Sequence, residues 1–147
     1  MSEIIDNQRK VALDSQAFKV FLEKTLNAIP EIAGRSATVA FISDRRMKEL
    51  NHFFRGKNST TDVLSFPHEA DEFGDTFAKN DDKEFLGDIV ISAEQAERQA
   101  KENGLTLENE IQQLILHGLL HLCGYDHETD SGEMNKLELK LRKRLGI

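Results

Sequence analysis

The chain has 147 residues, 39% of them hydrophobic and 31% charged, which is typical of one soluble globular domain spanning residues 1–147. Its formal net charge is −7, which excludes a uniformly basic surface for nucleic acid.

The N-terminal part of the chain predicts a strand followed by a helix. Val11 and Leu13 alternate with polar neighbours, which favours a short strand. Apolar residues from Phe18 to Ile29 then recur at helical spacing, and Pro30 is expected to end that helix.

A helix and three strands are predicted next. Segment 37–43 is β-rich and largely apolar, which indicates a buried strand. Asp44 is expected to cap a short helix that follows it. Segments 62–66 and 85–92 have the pattern of strands, and Gly87 in the second predicts a bulge or a close backbone approach.

The C-terminal half is predicted to be helical after an acidic segment. Residues 69–84 hold seven acidic and two basic residues and are predicted to form an exposed loop or loose hairpin. Helices are expected to begin at Ser92, at Thr106 and near Asp130, with Gly124 ending the second of them. This order of elements predicts an α+β domain, a small mixed sheet of about four strands with about five helices packed on it.

Three of the five histidines fall in the stretch HGLLHLCGYDH, residues 117–127. His117 and His121 are four residues apart, so on a helix their side chains share one face. Gly124 then breaks the helix, and His127 is predicted to return to the same point. Three neutral imidazoles would leave a fourth tetrahedral position open, as in a catalytic zinc site. The alternative is three histidines with unconnected local hydrogen bonds.

The same spacing occurs in metzincin proteases. Those enzymes carry glutamate directly after the first histidine, where it acts as the general base. Gly118 occupies that position here, which counts against peptide hydrolysis.

Cys123 is the only cysteine, so the chain can form neither an internal disulfide nor a cysteine-based zinc site. A cytoplasmic location is therefore expected, and Cys123 is predicted to be a small buried residue. No apolar run approaches the ~20 residues needed to cross a bilayer, and no membrane partner is expected.

Basic residues gather around the predicted second helix. Residues 35–57 hold six Lys or Arg and two Asp or Glu. Arg55 could reach the predicted histidine site and stabilise negative charge on a phosphate, or it could be a surface cation at a helix end. The candidates for contact with a phosphate backbone are Arg45, Arg46 and Lys57.

Carboxylates and aromatic residues near these motifs each allow two interpretations. Asp126 could be a general base or could orient an imidazole, and Asp62 and Asp88 have the same ambiguity. Phe53 and Phe54 are expected to pack in the core rather than to stack on bases.

The histidine stretch closely resembles the motif of the YbeY family, bacterial rRNA maturation factors described as metal-dependent endoribonucleases. Two further segments, NHFFRGKNSTTDVLSFP (51–67) and LGDIVIS (86–92), resemble the other signatures of that family. Order, spacing and length agree, so the resemblance covers essentially the whole chain.

The resemblance implies a set of functional residues and a substrate. One zinc ion per chain would bind His117, His121 and His127, and Arg55 would be the functionally important arginine, catalytic together with His117. The implied activity is cleavage of single-stranded RNA in maturation of the 3′ end of small-subunit rRNA, in ribosome biogenesis and in ribosome quality control. The expected partners are RNA and the small ribosomal subunit, and DNA is not expected.

Two other functions stay open from the sequence. One is a ribosome-associated RNA-binding factor whose metal is structural, and the other is a metzincin-like metal-dependent hydrolase. Three histidines also accept nickel, copper or cobalt, so the sequence does not identify the metal.

Overall fold

A computed structural model describes residues 2–68, 84–126 and 128–147. In these ranges five α-helices pack on a four-stranded mixed sheet, which confirms the predicted α+β class. The predictions for His127 and for all but the last residue of the acidic segment 69–84 lie outside the described residues.

The sheet combines parallel and antiparallel strands. Strand β1 pairs parallel with β2, β2 pairs parallel with β4, and β3 pairs antiparallel with β4. The spatial order is therefore β1-β2-β4-β3, and β3 is an edge strand of the described sheet. The strands are β1 (Glu3–Asp6), β2 (Ser36–Ile42), β3 (Val63–Pro67) and β4 (Phe85–Ser92).

Most helices begin and end where the sequence predicts. The helix α1 stops before a 3₁₀ turn that starts at Pro30, and Gly104 ends α3 in a left-handed conformation with φ of 67°. Ser92 and Thr106 cap α3 and α4, each accepting the backbone N–H three residues on. No helix in the described ranges is both long and apolar enough to span a bilayer. The helices are α1 (Ser15–Ala28), α2 (Asp44–Arg55), α3 (Ala93–Asn103), α4 (Leu107–Leu122) and α5 (Glu133–Leu145).

The prediction of a first strand at Val11 and Leu13 is wrong. The first strand is β1, and Val11 lies in an irregular segment after it. The side chain of Gln8 bonds both the N–H and the C=O of Val11, which satisfies its backbone without a strand partner. Val11 is buried all the same, so its apolar pattern reflects packing alone.

Two helix starts also differ from the sequence prediction. Ser43, rather than Asp44, caps α2, because its hydroxyl accepts the N–H of Arg46 at 3.2 Å. The last helix begins at Glu133 rather than near Asp130. The carboxylate of Asp130 accepts the N–H of Gly132, just before the helix, and the N–H of Met134, in its first turn.

The two faces of the sheet carry separate hydrophobic clusters. Side chains alternate along β4, so Ile89 and Ile91 join the large core with α1, α4 and α5, while Val90 joins a smaller cluster with Met47 of α2. The helix α4 lies across β3 and β4 on the large-core face. The end of α4 is thereby fixed next to the edge strand.

The predicted irregularity at Gly87 is present. Its φ is 144°, and a Cβ there would lie 2.3 Å from the backbone oxygen of Phe66. The register between β2 and β4 shifts at the same level, between Ser36 and Thr38. Gly87 is therefore required both by the bulge and by close contact with β3.

Candidate active site

A cleft of about 560 Å³ lies between the edge strand β3 and the C-terminal half of α4. It brings together predicted site residues from three separate parts of the sequence, namely Arg55, His117, His121 and Asp126. The remaining lining residues are Thr61, Asp62, Val63, Leu64, Ser65, Pro67 and Glu128.

His117 and His121 lie on the same edge of α4, as their spacing predicts. Both are half-buried, and their Nε2 atoms are 3.1 Å apart. Two lone pairs or two N–H groups would repel at that distance, so the two nitrogens must share either one proton or one cation. The arrangement is therefore compatible both with a hydrogen-bonded imidazole pair and with two imidazoles that bind one cation.

Glu138 on α5 contacts the histidine pair, which the sequence interpretation missed. Its Oε1 lies 2.7 Å from Nδ1 of His117, and the residue is only 7% exposed. Burial raises the pKa of Glu138, but the hydrogen bond and the charge of His117, with a smaller effect of the charge of Arg142, outweigh it and hold the pKa below its usual value. An ionised carboxylate only accepts hydrogen bonds, so Nδ1 of His117 carries a proton, and in the neutral imidazole Nε2 presents the lone pair.

Arg142 supports Glu138 from one turn further along α5. Its Nη2 lies 3.5 Å from Oε2 of Glu138, so Arg142, Glu138 and His117 form a chain of polar contacts from α5 to α4. In the sequence Glu138 and Arg142 have the spacing of an ordinary surface ion pair. Nothing in that spacing points to a histidine 21 residues earlier.

The described part of the site fits a divalent cation. Zinc–nitrogen bonds of about 2.0–2.1 Å at tetrahedral angles place two nitrogens about 3.3 Å apart. The observed separation is 3.1 Å. A carboxylate on the far ring nitrogen, as Glu138 is on His117, is also the usual second partner of a metal-binding histidine.

The third donor is not tested within the described ranges. There, no group of three histidine, cysteine or acidic side chains is arranged to hold a metal ion. His127 lies outside the described residues, so its role as the third ligand stays a prediction.

The turn after α4 directs the chain back toward the cleft. Gly124 has φ of 98°, and the N–H of Tyr125 bonds the carbonyl of Leu120 at 3.1 Å. Asp126 and Glu128 then both line the cleft. The Oδ1 of Asp126 accepts the N–H of Glu128 at 3.0 Å, so this carboxylate also holds the turn in shape.

Arg55 is the last residue of α2 and is exposed at the rim of the cleft. Gly56 ends the helix in a left-handed conformation with φ of 68°. The amide of Asn51, which is buried, donates to the carbonyl of Ser59 at 2.7 Å and ties down the loop that follows. Arg55 is thus presented by a fixed helix end rather than by a free loop.

The other predicted RNA-contacting residues are exposed but do not line the cleft. Arg45 and Arg46 lie on α2, and Lys57 lies just after it. Arg46 pairs with Glu49 at 3.1 Å. Arg45 and Arg46 lie in the first turn of α2, at the end of the helix opposite to Arg55.

The absence of a side chain at residue 118 has a packing cause. A Cβ at Gly118 would lie 2.8 Å from Cγ2 of Ile89, so α4 contacts β4 too closely for any larger residue. The carbonyl of Gly118 also accepts the hydroxyl of Ser65 on β3 at 3.3 Å. The glutamate that metzincin proteases carry here has no room.

Cys123 is half-buried and does not line the cleft with the histidines. Burial, with a smaller effect of Glu31, raises the pKa of its thiol to about 11. The thiol is therefore neutral near pH 7, which does not suit a nucleophile or a metal ligand.

The whole chain matches one family of known proteins. The family model described as Endoribonuclease YbeY matches residues 3–146. The chain belongs to the YbeY family. This confirms the resemblance drawn from the three motifs.

Two relatives in the YbeY family align with this chain over nearly their full length. The Endoribonuclease YbeY of Thermodesulfovibrio yellowstonii is 35% identical, over 97% of this chain and 96% of its own. The Endoribonuclease YbeY of Caldanaerobacter subterraneus is 36% identical, over 100% of this chain and 99% of its own. The solution structure of TM1509 from Thermotoga maritima is similar with a TM-score of 0.62 and 30% identity, over 99% of this chain and 89% of that one.

Proposed function

We propose that the chain is a metal-dependent endoribonuclease that cleaves single-stranded RNA in the maturation of small-subunit rRNA. The observation that carries the proposal is the cleft in which the paired imidazoles of His117 and His121 face Arg55. Membership of a family described as Endoribonuclease YbeY supports RNA as the substrate. The roles in ribosome biogenesis and quality control, and contact with the small ribosomal subunit, are proposed on the same basis.

We propose that His117, His121 and His127 hold the cation and that it is zinc. When bound, it supplies a Lewis acid and a water molecule of lowered pKa. The tautomer of His117 supports this ligand set, because Glu138 leaves the Nε2 lone pair of His117 directed at His121. His127 is included because both of its neighbours in the chain, Asp126 and Glu128, line the cleft.

Arg55 and Asp126 have the two remaining chemical roles in this proposal. RNA hydrolysis builds up negative charge on the phosphoryl oxygens, and the planar guanidinium of Arg55 can donate two parallel hydrogen bonds to them. Asp126 lines the same cleft and is the proposed acceptor of a proton from the attacking water.

The basic surface beyond the cleft is proposed to bind the RNA backbone. Arg45, Arg46 and Lys57 are exposed along and after α2. Cations so placed hold phosphates without reading sequence, and their contribution weakens with salt. A cytoplasmic location is also proposed, because Cys123 is a lone thiol.

Cleavage of a labelled single-stranded RNA by the purified chain tests the proposal. The protein is assayed after treatment with a chelator and after addition of zinc, beside the variants Arg55→Ala and His117→Ala. Arg9→Ala is the matched control, because Arg9 is exposed and distant in sequence from every cleft residue. We expect cleavage only with metal, retained by the control and lost in the other two variants.

The same assay separates the alternatives. RNA binding without cleavage in any sample would favour a ribosome-associated binding factor whose metal is structural. Cleavage of a peptide added in place of RNA would favour a metal-dependent hydrolase of the metzincin type. Either result would overturn the endoribonuclease assignment.

A further inference from the structure

Two adjacent phenylalanines near the end of α2 are exposed rather than packed in the core. Phe53 is 79% exposed and Phe54 is 57% exposed, so the expectation that they pack in the core is wrong. Burying a phenylalanine stabilises a fold by roughly 1.5–3 kcal/mol, and neither Phe53 nor Phe54 contributes most of this stabilisation. Adjacent exposed aromatic residues commonly mark a binding surface.

These rings are held in a fixed arrangement with a third one on β3. The ring centroids of Phe53 and Phe54 are 4.8 Å apart, and those of Phe54 and Phe66 are 5.0 Å apart. Both pairs meet edge to face, at 75° and 64°. Phe66 in turn packs against the small hydrophobic cluster under α2. We call Phe53, Phe54 and Phe66 the aromatic cluster; it is oriented before any ligand arrives.

The aromatic cluster adjoins the candidate active site at two places. Phe54 immediately precedes Arg55, and Phe66 immediately precedes Pro67. Both Arg55 and Pro67 line the cleft. Consecutive side chains of a strand point to opposite faces, so the aromatic cluster lies around the edge of β3 from the cleft. A strand of nucleic acid that leaves the cleft over this edge meets the rings next.

The charge around the aromatic cluster favours a polyanion over an apolar protein segment. Exposed Arg55 and Lys57 lie within three residues of Phe54, and exposed Arg45 and Lys48 lie on earlier turns of α2. The two acidic residues of α2 are both ion-paired, Asp44 with Arg98 and Glu49 with Arg46. Flat aromatic rings among cations are the combination that binds single-stranded nucleic acid, the rings stacking on bases and the cations following the phosphates.

We propose that Phe54, extended by Phe53, stacks on an RNA base adjacent to the phosphate held at Arg55. The inference rests on the proposed function and adds a base-stacking subsite to it. Stacking of this kind tolerates any base, so the subsite selects for an unpaired nucleotide rather than for a sequence. A base-paired strand cannot present its ring face in this way, which gives the cleft a physical reason to prefer single-stranded RNA.

Binding of a fluorescein-labelled single-stranded RNA to the chelator-treated protein, where cleavage does not interfere, tests the proposal. Phe54→Ala is expected to weaken binding by about 5- to 150-fold. Phe54→Leu keeps an apolar side chain and is expected to bind weakly too, while Phe54→Tyr keeps the ring and is expected to bind as the wild type does. Val20→Ala is the control, because Val20 is 58% exposed on α1 and is not part of the basic surface.

An RNA with one abasic nucleotide, moved along the strand, identifies the contact. At the stacked position, removing the base and removing the ring are expected to weaken binding by no more together than either does alone. Phe53→Ala is tested with the same RNAs. The side chain of Phe53 is 79% exposed and contributes little to the fold, so this variant is expected to stay folded.

The outcomes separate this inference from the proposed function. If the wild type cleaves RNA but Phe54→Ala and Phe54→Leu bind it as tightly as the wild type, the stacking subsite is refuted and the nuclease stands. If the wild type neither binds nor cleaves RNA, the proposed function fails, and the subsite with it. Binding of anionic lipid vesicles that depends on Phe53 and Phe54, with RNA binding unchanged, would assign the aromatic cluster to a membrane surface instead.

Discussion

Glu138 and His117 are joined by a hydrogen bond of 2.7 Å that connects α5 to α4. The bond fixes which nitrogen of His117 carries the proton and which carries the lone pair. A residue outside the histidine motif thus determines how the motif presents itself to a ligand. The last helix is therefore part of the candidate active site as well as of the hydrophobic core.

Glu138→Gln should weaken metal binding. A glutamine amide carries no charge and can present a donor to Nδ1 of His117, which favours the tautomer with its proton on Nε2. Partners in this position contribute about 10- to 100-fold to metal affinity. Competition with a chromogenic zinc chelator measures the change, and Glu23→Gln, exposed on α1, is the control. Nitrogen-15 NMR of the metal-free protein should report the changed tautomer of His117, and an unaltered spectrum with unaltered affinity would contradict the assignment.

Gly118→Ala should destabilise the fold. The added methyl group would lie 2.8 Å from Cγ2 of Ile89, which costs about 1–3 kcal/mol, offset in part by up to ~1 kcal/mol from better helix propensity. Urea unfolding of the two proteins measures the difference. The double variant with Ile89→Ala should lose less than the sum of the two single changes. If the two losses of unfolding free energy simply add, the new methyl group does not contact Ile89, and α4 has moved away from β4 instead.

Asp44→Asn should destabilise the protein at neutral pH and matter less in acid. Burial raises the pKa of Asp44, but hydrogen bonds from Ser92 and Arg98, with the charge of Arg98, outweigh it and lower the pKa overall. A lowered pKa in the folded state contributes stability that is present above about pH 4 and is lost as the pH falls through the folded value. We expect a loss of about 1–3 kcal/mol at pH 7.

Urea titrations of both proteins between neutral pH and about pH 3 test this dependence. The gap in unfolding free energy between the wild type and Asp44→Asn should narrow below about pH 4. Arg98→Gln removes the charged partner of Asp44. In a chain that carries Arg98→Gln, the loss of unfolding free energy caused by Asp44→Asn should therefore be smaller at neutral pH. A difference in unfolding free energy that stays constant with pH would show that the Asp44 carboxylate has no stabilising partner in the folded state.

Cys123 should react slowly with alkylating reagents near neutral pH. Burial raises the pKa of its thiol to about 11, so only a minute fraction is thiolate at pH 7 to 8. Mass spectrometry of samples treated with iodoacetamide should give a rate far below that of the urea-unfolded chain, rising as the pH approaches 11. Rapid labelling of the folded protein at pH 7 would contradict the half-buried placement.

Local signals in the sequence predict most of the fold. Pro30, Gly104 and Gly124 each mark a helix end, and the spacing of His117 and His121 correctly predicts a shared helix edge. These signals succeed because the backbone conformation they require is decided within a few residues.

Predictions that depend on partners distant in sequence fail. Val11 has the pattern of a strand, but the paired strand is β1. Asp44 resembles a helix cap, but its carboxylate is taken by Ser92 and Arg98 from another part of the chain. Glu138 resembles a surface residue, since its partner lies on another helix. For Asp44 and Glu138 the deciding contact is tertiary, and no spacing rule encodes it. For Val11 the deciding contact is with the neighbouring side chain of Gln8.

The contact between Gly118 and Ile89 also limits how this scaffold could change its chemistry. Installing a carboxylate after the first histidine, as peptide cleavage of the metzincin kind requires, would first need a smaller side chain on the strand beneath. Each change alone is harmful, since one crowds the interior and the other leaves a hole in it. In this chain, a laboratory attempt at the conversion would therefore have to change residue 89 together with residue 118.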